Sequence, residues 1–286
     1  MHVLATIRCD LGDLAGAQAA AEAAVATVEG LYGDDSERLA RPLEVLAWVH
    51  REQGATIAAE KAARRSLAIS ERSCAPNDIE LAWRLDALAV ILRDLGRPDE
   101  ARSMIERAMT ITESVLGPTH RSLGGQCGVL SRILRELGDV PAALAFARRA
   151  VDITMAAHGP EHPVTAVELG NLALAQTDVG DLTGALTSIE SALRASRMTL
   201  GPEHRDVGWQ LAVLARILRA RGELDAARLA AAEAVRIGEM TLTPEHPARA
   251  SRQRLLAELE DALSSPVPSR PGRVVLSDDL GGVSAS

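Results

Sequence analysis

Aromatic side chains are nearly missing from this 286-residue sequence: Phe, Trp and Tyr together supply 2%. A β-sandwich interior draws heavily on aromatic and β-branched residues and is disfavoured here. With 47% hydrophobic residues, the core has to be built from Ala, Leu, Val and Ile, which suits closely packed helices. Lysine is reduced to Lys61, so almost all basic charge is arginine. Basic charge is itself in deficit: the net charge of −8 argues against general nucleic-acid binding, which needs a basic footprint. Cysteine is confined to Cys9, Cys74 and Cys127, an odd number without close motif spacing. No disulfide framework is expected, and a reducing, cytoplasmic location fits. No stretch of about 18 apolar residues could span a membrane. The opening MHVLATIRCDLGD lacks the long apolar region of a signal peptide. Phosphate-loop, dinucleotide-fold, HExxH and CxxC motifs are missing too. The expectation is a protein that is not an enzyme and has no cofactor and no metal.

What the chain does have is a period. Gly12, Gly54, Gly96, Gly138, Gly180 and Gly222 recur every 42 residues without slippage. Leu4, Leu46, Leu88, Leu130, Leu172 and Leu214 stand eight before them, and Ala17, Ala59, Ala101, Ala143, Ala185 and Ala227 five after. Each unit reads as two helices. In the third, IELAWRLDALAVILRDL (79–95) spaces its apolar residues three and four apart. Gly96 stops that helix, and Pro98 opens the next, PDEARSMIERAMTITESVL (98–116). One such hairpin cannot bury its apolar stripe alone; stacked neighbours can, which makes a solenoid.

These columns resemble the tetratricopeptide repeat, and the 42-residue period with its LGPxH turn resembles the kinesin-light-chain-like subtype, common in bacterial proteins. The resemblance implies an all-α, right-handed solenoid of antiparallel helix pairs. Residues 1–246 would form six units, the first truncated, 247–263 a closing helix and 264–286 a disordered tail. It also implies a protein or peptide partner held on the inner face, which the first helix of each pair lines. An alternative role is the sensor module of a larger signalling ATPase, whose repeats often follow a nucleotide switch. No nucleic acid or membrane is expected as partner, and self-association is compatible with the pattern.

The turn LGPEH (200–204) returns as HGPEH (158–162), LGPTH (116–120) and LTPEH (242–246). Equivalent histidines on successive repeats lie too far apart to share a metal, since packed helices stand roughly 8–10 Å apart. They read as punctuation between units.

In the family, inner-face positions fall 13, 10, 6, 3 and 2 residues before the repeat glycine. Here they collect Trp83 and Trp209 at the first of these, Trp48, Arg132 and Arg216 at the third, and Arg51, Arg93, Arg135 and Arg219 at the fourth. Asn171 alone keeps an asparagine that the family uses to bond peptides. The expected site is this set: tryptophans as anchors and arginines pairing with an acidic partner. The acids that directly follow these mostly arginine positions (Asp10, Glu52, Asp94, Glu136 and Asp178) offer the competing reading of internal neutralisation. On the first reading, Arg93→Glu with Arg135→Glu abolishes capture without loss of helicity. Gly124, Gly125 and Gly128 inside one helix would permit close approach of a ligand backbone or make a weak hinge.

Overall fold

The computed structural model describes residues 13–244 and 246–264, and all secondary structure among them is helical. The first helix of unit one, with Cys9, and the expected tail from residue 265 onward lie outside the described residues. We number the helices α1 (Leu14–Tyr32), α2 (Ala40–Glu52, preceded by a 3-10 turn Glu37–Leu39), α3 (Thr56–Ser73), α4 (Ile79–Asp94), α5 (Pro98–Leu116) and α6 (Arg121–Glu136). They continue with α7 (Val140–His158), α8 (Pro163–Asp178), α9 (Leu182–Leu200), α10 (Arg205–Ala220), α11 (Leu224–Thr241) and α12 (Pro247–Ser264). Even-numbered helices up to α10 are the first helices of their units. Each packs on its own odd-numbered partner and on the next unit, giving an α-solenoid of antiparallel pairs.

Local chemistry marks each boundary. Gly96 takes φ +72°, a conformation that a side chain would strain, and its N–H closes on the Arg93 carbonyl at 2.9 Å. The Arg97 N–H reaches back to the Leu92 carbonyl at 3.0 Å, completing the stop, and Pro98 starts α5 one residue later. The recurring histidines are N-caps. His120, His162 and His204 each accept the N–H two residues on at 3.2 Å through Nδ1, and His246 does so at 3.1 Å. Asp78 performs the same task for α4, accepting from the Glu80 N–H at 2.8 Å.

Ala89, Ala101 and Ala108 are fully buried where the helices of unit three meet, and Leu85, Leu88, Ile105, Leu130 and Ile133 fill the space around them. Curvature follows from which backbones approach. Successive first helices come within 8 Å of one another, whereas successive second helices do so nowhere among the described residues. The first helices therefore line the concave face. On the convex face the wider gaps are spanned by long side chains, as in Arg65–Glu29, Arg97–Glu60 and Arg107–Glu71.

The helix carrying three glycines, α6, is continuous. A Cβ on Gly124 would stand 2.6 Å from the Thr154 methyl, and one on Gly128 would stand 2.0 Å from the Glu168 carboxylate. Two of the three glycines thus serve internal close packing.

Candidate functional site

The concave face carries two bands of charge. One is a ladder near the C-terminal ends of the first helices. Arg51 Nε meets Asp94 at 2.7 Å, Arg93 Nε meets Glu136 at 3.6 Å, and Arg135 Nε meets Asp178 at 2.5 Å. Each arginine reaches the acid of the following unit, so the rungs tie the units together. Arg219 continues the pattern with Glu258 of α12 at 2.7 Å. The rung from unit five to unit six is missing at both of its partners: Thr177 replaces the arginine, and unit six has Ala220 where the receiving acid would stand. Thr177 instead donates to the Ala173 carbonyl at 2.7 Å.

Burial inside this ladder is uneven. Arg93 is 7% exposed, also bonds Asp94 at 2.5 Å, and leaves Nη1 buried without a partner. Burial alone would raise the Asp94 carboxyl, but Arg51 and Arg93 outweigh it and hold it below the usual carboxylate range. Arg132, half-buried beside Arg93 and Arg51, makes no hydrogen bond or ion pair among the described residues. Burial, reinforced by Arg93, pulls its guanidinium down to about 9.

The second band is acidic and lies toward the N-terminal half of the first helices. Asp86 on α4 has a buried Oδ1 without a hydrogen-bond partner, and burial next to Glu44 pushes its carboxyl up to about 7. Glu168 on α8, 5% exposed, lies across Gly128 and accepts from Asn171 Nδ2 at 3.0 Å. Burial raises it too, to about 7, against the opposing pull of Asn171 and Arg132. Glu44 is raised by burial despite Arg84 and Arg41.

The tryptophans divide. Trp83 is 41% exposed, whereas Trp209 lies down on unit five: a Cβ on Gly170 would come within 2.6 Å of its ring. Trp48 is half-buried, and Asn171, 3% exposed, is turned toward Glu168. Arg216 is exposed and makes no ion pair among the described residues. With Trp209, Arg219 and α12 residues Arg252, Arg254 and Leu255, it lines a cavity of about 260 Å³. Arg252 enters beside Gly208 and Gly238 and is satisfied by the Ala234 and Arg205 carbonyls at 3.3 and 3.4 Å.

The residues expected from sequence therefore share one face but not one role. Arg51, Arg93, Arg135 and Arg219 hold carboxylates of the same chain; Trp209 and Asn171 pack against neighbours; Trp83, Arg132 and Arg216 keep free functional groups. Sequence reasoning passed over Glu44 and Asp86, although both stand ten residues before a repeat glycine, on the stripe already marked as inner face. Glu168, twelve residues before its repeat glycine and so just off that stripe, gave no such signal. The one local histidine pair, His158 and His162, stacks its rings at 4.6 Å. Among the described residues no three His, Cys, Asp or Glu side chains gather as metal ligands. Cys74 and Cys127 are unpaired, and burial pushes the Cys127 thiol up to about 11.

One further contact crosses the concave face. Arg205, at the start of α10 in unit six, pairs with Glu52, at the end of α2 in unit two, 153 residues away. The solenoid curls far enough for unit six to reach back to unit two.

Comparison with known proteins agrees with this architecture. Tetratricopeptide repeat profiles match residues 1–72 with 168–240, and 81–122 with 127–164. No curated protein matches the sequence. The fold is similar to BtubC (BKLC) from P. vanneervenii, at 18% identity and TM-score 0.57 over 91% of this chain and 96% of that one. It is similar to a kinesin-light-chain-like protein of Podospora anserina with nearly identical TPR-like repeats, at 23% identity and TM-score 0.55 over 72% and 97%. A chain of the APC/C Cut9–Hcn1 hetero-tetramer aligns at 13% identity and TM-score 0.63, covering 88% of this chain and 42% of that one. On the period, the capped hairpins and these profiles, the chain belongs to the tetratricopeptide repeat family.

Proposed function

We propose that this protein is a non-catalytic interaction scaffold whose concave groove holds a segment of a protein partner. Tetratricopeptide repeats generally mediate protein–protein interactions, and members are typically not catalysts. The observation that carries the reading is the set of free groups on the concave face, with Trp83 41% exposed and Arg216 exposed and without an ion pair among the described residues, beside a ladder of arginines that hold carboxylates of the same chain. A large exposed aromatic is a strong anchor for a partner. Arg216 and Arg254, neither ion-paired among the described residues, favour an acidic stretch at the C-terminal end of the groove. Four of the six arginines first expected to serve that purpose already hold carboxylates. No helix among the described residues is long and apolar enough to cross a membrane. A cytoplasmic setting suits the two unpaired cysteines.

The test is capture of binding proteins by the full chain in parallel with two variants. Trp83→Ala combined with Arg216→Glu is expected to release the captured partner. Leu229→Ser, at a 61% exposed position on a second helix, is expected to retain it. Retention by the groove double variant would remove the concave assignment.

A further inference from the structure

Along the concave face, two positions ten residues before a repeat glycine are met by a side chain of the next unit. Gly128 is covered by the Glu168 carboxylate, and Gly170 by the Trp209 ring. Asp86 occupies that position in unit three, and the unit that follows it offers Gly125. A Cβ on Gly125 would touch nothing within 4 Å. The row of covering side chains is interrupted there, leaving a bay in the wall beside Asp86.

The groups around this bay are acceptors. Asp86 Oδ1 is buried without a partner, and the charged neighbours that act on Asp86 are the carboxyls Glu44 and Glu168. Across Gly128, Glu168 accepts from Asn171, whose own Oδ1 is buried and unpartnered although the residue is only 3% exposed. The nearest cation acting on Glu168, Arg132, makes no hydrogen bond to any of them. Trp83, exposed, stands on the same stripe of α4, three residues before Asp86. The carboxyls do not converge on a point as metal ligands would. Acceptors spread over a bay with an aromatic at its lip fit a flat, donor-only cation.

We propose that the bay at Gly125 receives an arginine side chain of the protein partner. Its guanidinium brings five N–H donors to Asp86, Glu168 and the Asn171 carbonyl, and its plane can lie on Trp83. The glycine floor leaves room for the aliphatic stem. This inference rests on the reading of the concave face as the partner groove.

A fluorescein-labelled glycine–serine peptide carrying one central arginine tests it by anisotropy against the full chain. The matched controls are the citrulline peptide, equal in shape but neutral, and the lysine peptide. The arginine peptide is expected to bind about tenfold tighter than the citrulline peptide, the worth of a charge-assisted hydrogen bond. Asp86→Asn should erase that difference. So should Gly125→Leu, whose Cβ meets nothing within 4 Å and which improves helix propensity; its unchanged circular dichroism is the check that the fold is kept. Equal binding of arginine and citrulline peptides, or arginine binding untouched by Gly125→Leu, overturns the proposal. A lysine peptide bound as tightly as the arginine one overturns the guanidinium assignment. If the peptide fails while Trp83→Ala with Arg216→Glu still releases partners, the bay falls and the groove stands. If both fail, the groove reading goes with it.

Discussion

Arg93 and Asp86 on the concave face, one neutralised by a neighbouring unit and the other buried beside charges like itself, answer mutation in opposite directions. Arg93 is the first case. It is 7% exposed between Asp94 and Glu136, so Arg93→Glu sets three carboxylates together in a desolvated place. We expect a loss of about 3–5 kcal/mol, the range for breaking a buried pair, read as a lowered midpoint in urea. The charge reversal suggested by sequence is therefore a stability mutation before it is a binding mutation; an unchanged midpoint would show that the ladder is idle. Asp86 is the second case. Its carboxyl is raised from an ordinary 3.8 to about 7 by burial and Glu44, and Glu168 faces it as well. Below its ordinary value the group is protonated in folded and unfolded chains alike, and its burial is not penalised electrostatically. As pH rises from 3.8 to about 7, the unfolded chain ionises and the folded one does not, so stability falls, and it levels off once the folded carboxyl ionises too. His246, lowered by burial and facing Arg205, Arg51 and Arg252 as well as Glu52, runs the other way as pH drops. The difference between wild type and Asp86→Asn isolates the carboxyl. Asp86→Asn should be the more stable at pH 8, by about 1–3 kcal/mol, and the advantage should shrink as pH falls below about 7 and vanish below the ordinary 3.8. A constant offset across that range would mean that Asp86 is not the titrating group.

At the level of the helix, the LGPxH turn works through its last residue. Each histidine supplies an Nδ1 acceptor to an otherwise orphaned N–H, the task for which Asp78 uses a carboxylate at the shorter distance of 2.8 Å. His204→Ala should cost about 1 kcal/mol, and His204→Asp should restore or exceed the wild-type value. Thermal melts of the two variants decide it; an alanine as stable as wild type would leave the histidine without a capping role. This element shows what a sequence can reveal. The 42-residue columns made the hairpins, the stop at Gly96 and the start at Pro98 legible, because each rests on a backbone preference that one residue type carries. The histidine could be placed but not explained, since histidine is an uncommon cap and only the bond reveals its use. The ladder was half legible: arginines followed by acids were visible, but a pairing to the next unit, 43 residues on, depends on how units stack. The loss of arginine at Thr177 together with the acid at Ala220 is the one trace of it in the sequence. At the bay, Gly125 and Gly128 were legible as a place of close approach, but the carboxyls Asp86 and Glu168 were not, because their meeting depends on how units stack.

Curvature belongs to the whole molecule, and the Glu52–Arg205 pair is where it becomes testable. Each unit turns a little relative to the last, and the sum over four steps brings α10 back to α2. No local pattern encodes a sum, which is why this pair is invisible in the sequence. Glu52 is 6% exposed and is also bonded by Arg51 at 3.2 Å, while Arg252 donates to the Arg205 carbonyl at 3.4 Å. Unit one offers no ladder arginine to Glu52, because Cys9 stands in that place. The acid that would close a rung toward the N-terminus instead closes the solenoid on itself. Among the described helices, α2 and α10 have no Cα atoms within 8 Å of each other, so it is side chains that span the gap between them. Glu52→Gln should open the curl: the radius of gyration from small-angle scattering rises, with about 1–3 kcal/mol lost on unfolding. Arg205→Gln should do the same, and the double variant should be little worse than either single one, because both remove one shared interaction. Added salt, which screens partly exposed charges, should expand the wild type and leave Glu52→Gln unchanged. Superimposable scattering curves for wild type and Glu52→Gln at low salt would show that packing, and not this pair, sets the curl. Expansion would mean that whatever enters the groove has first to compete with Arg205 for Glu52.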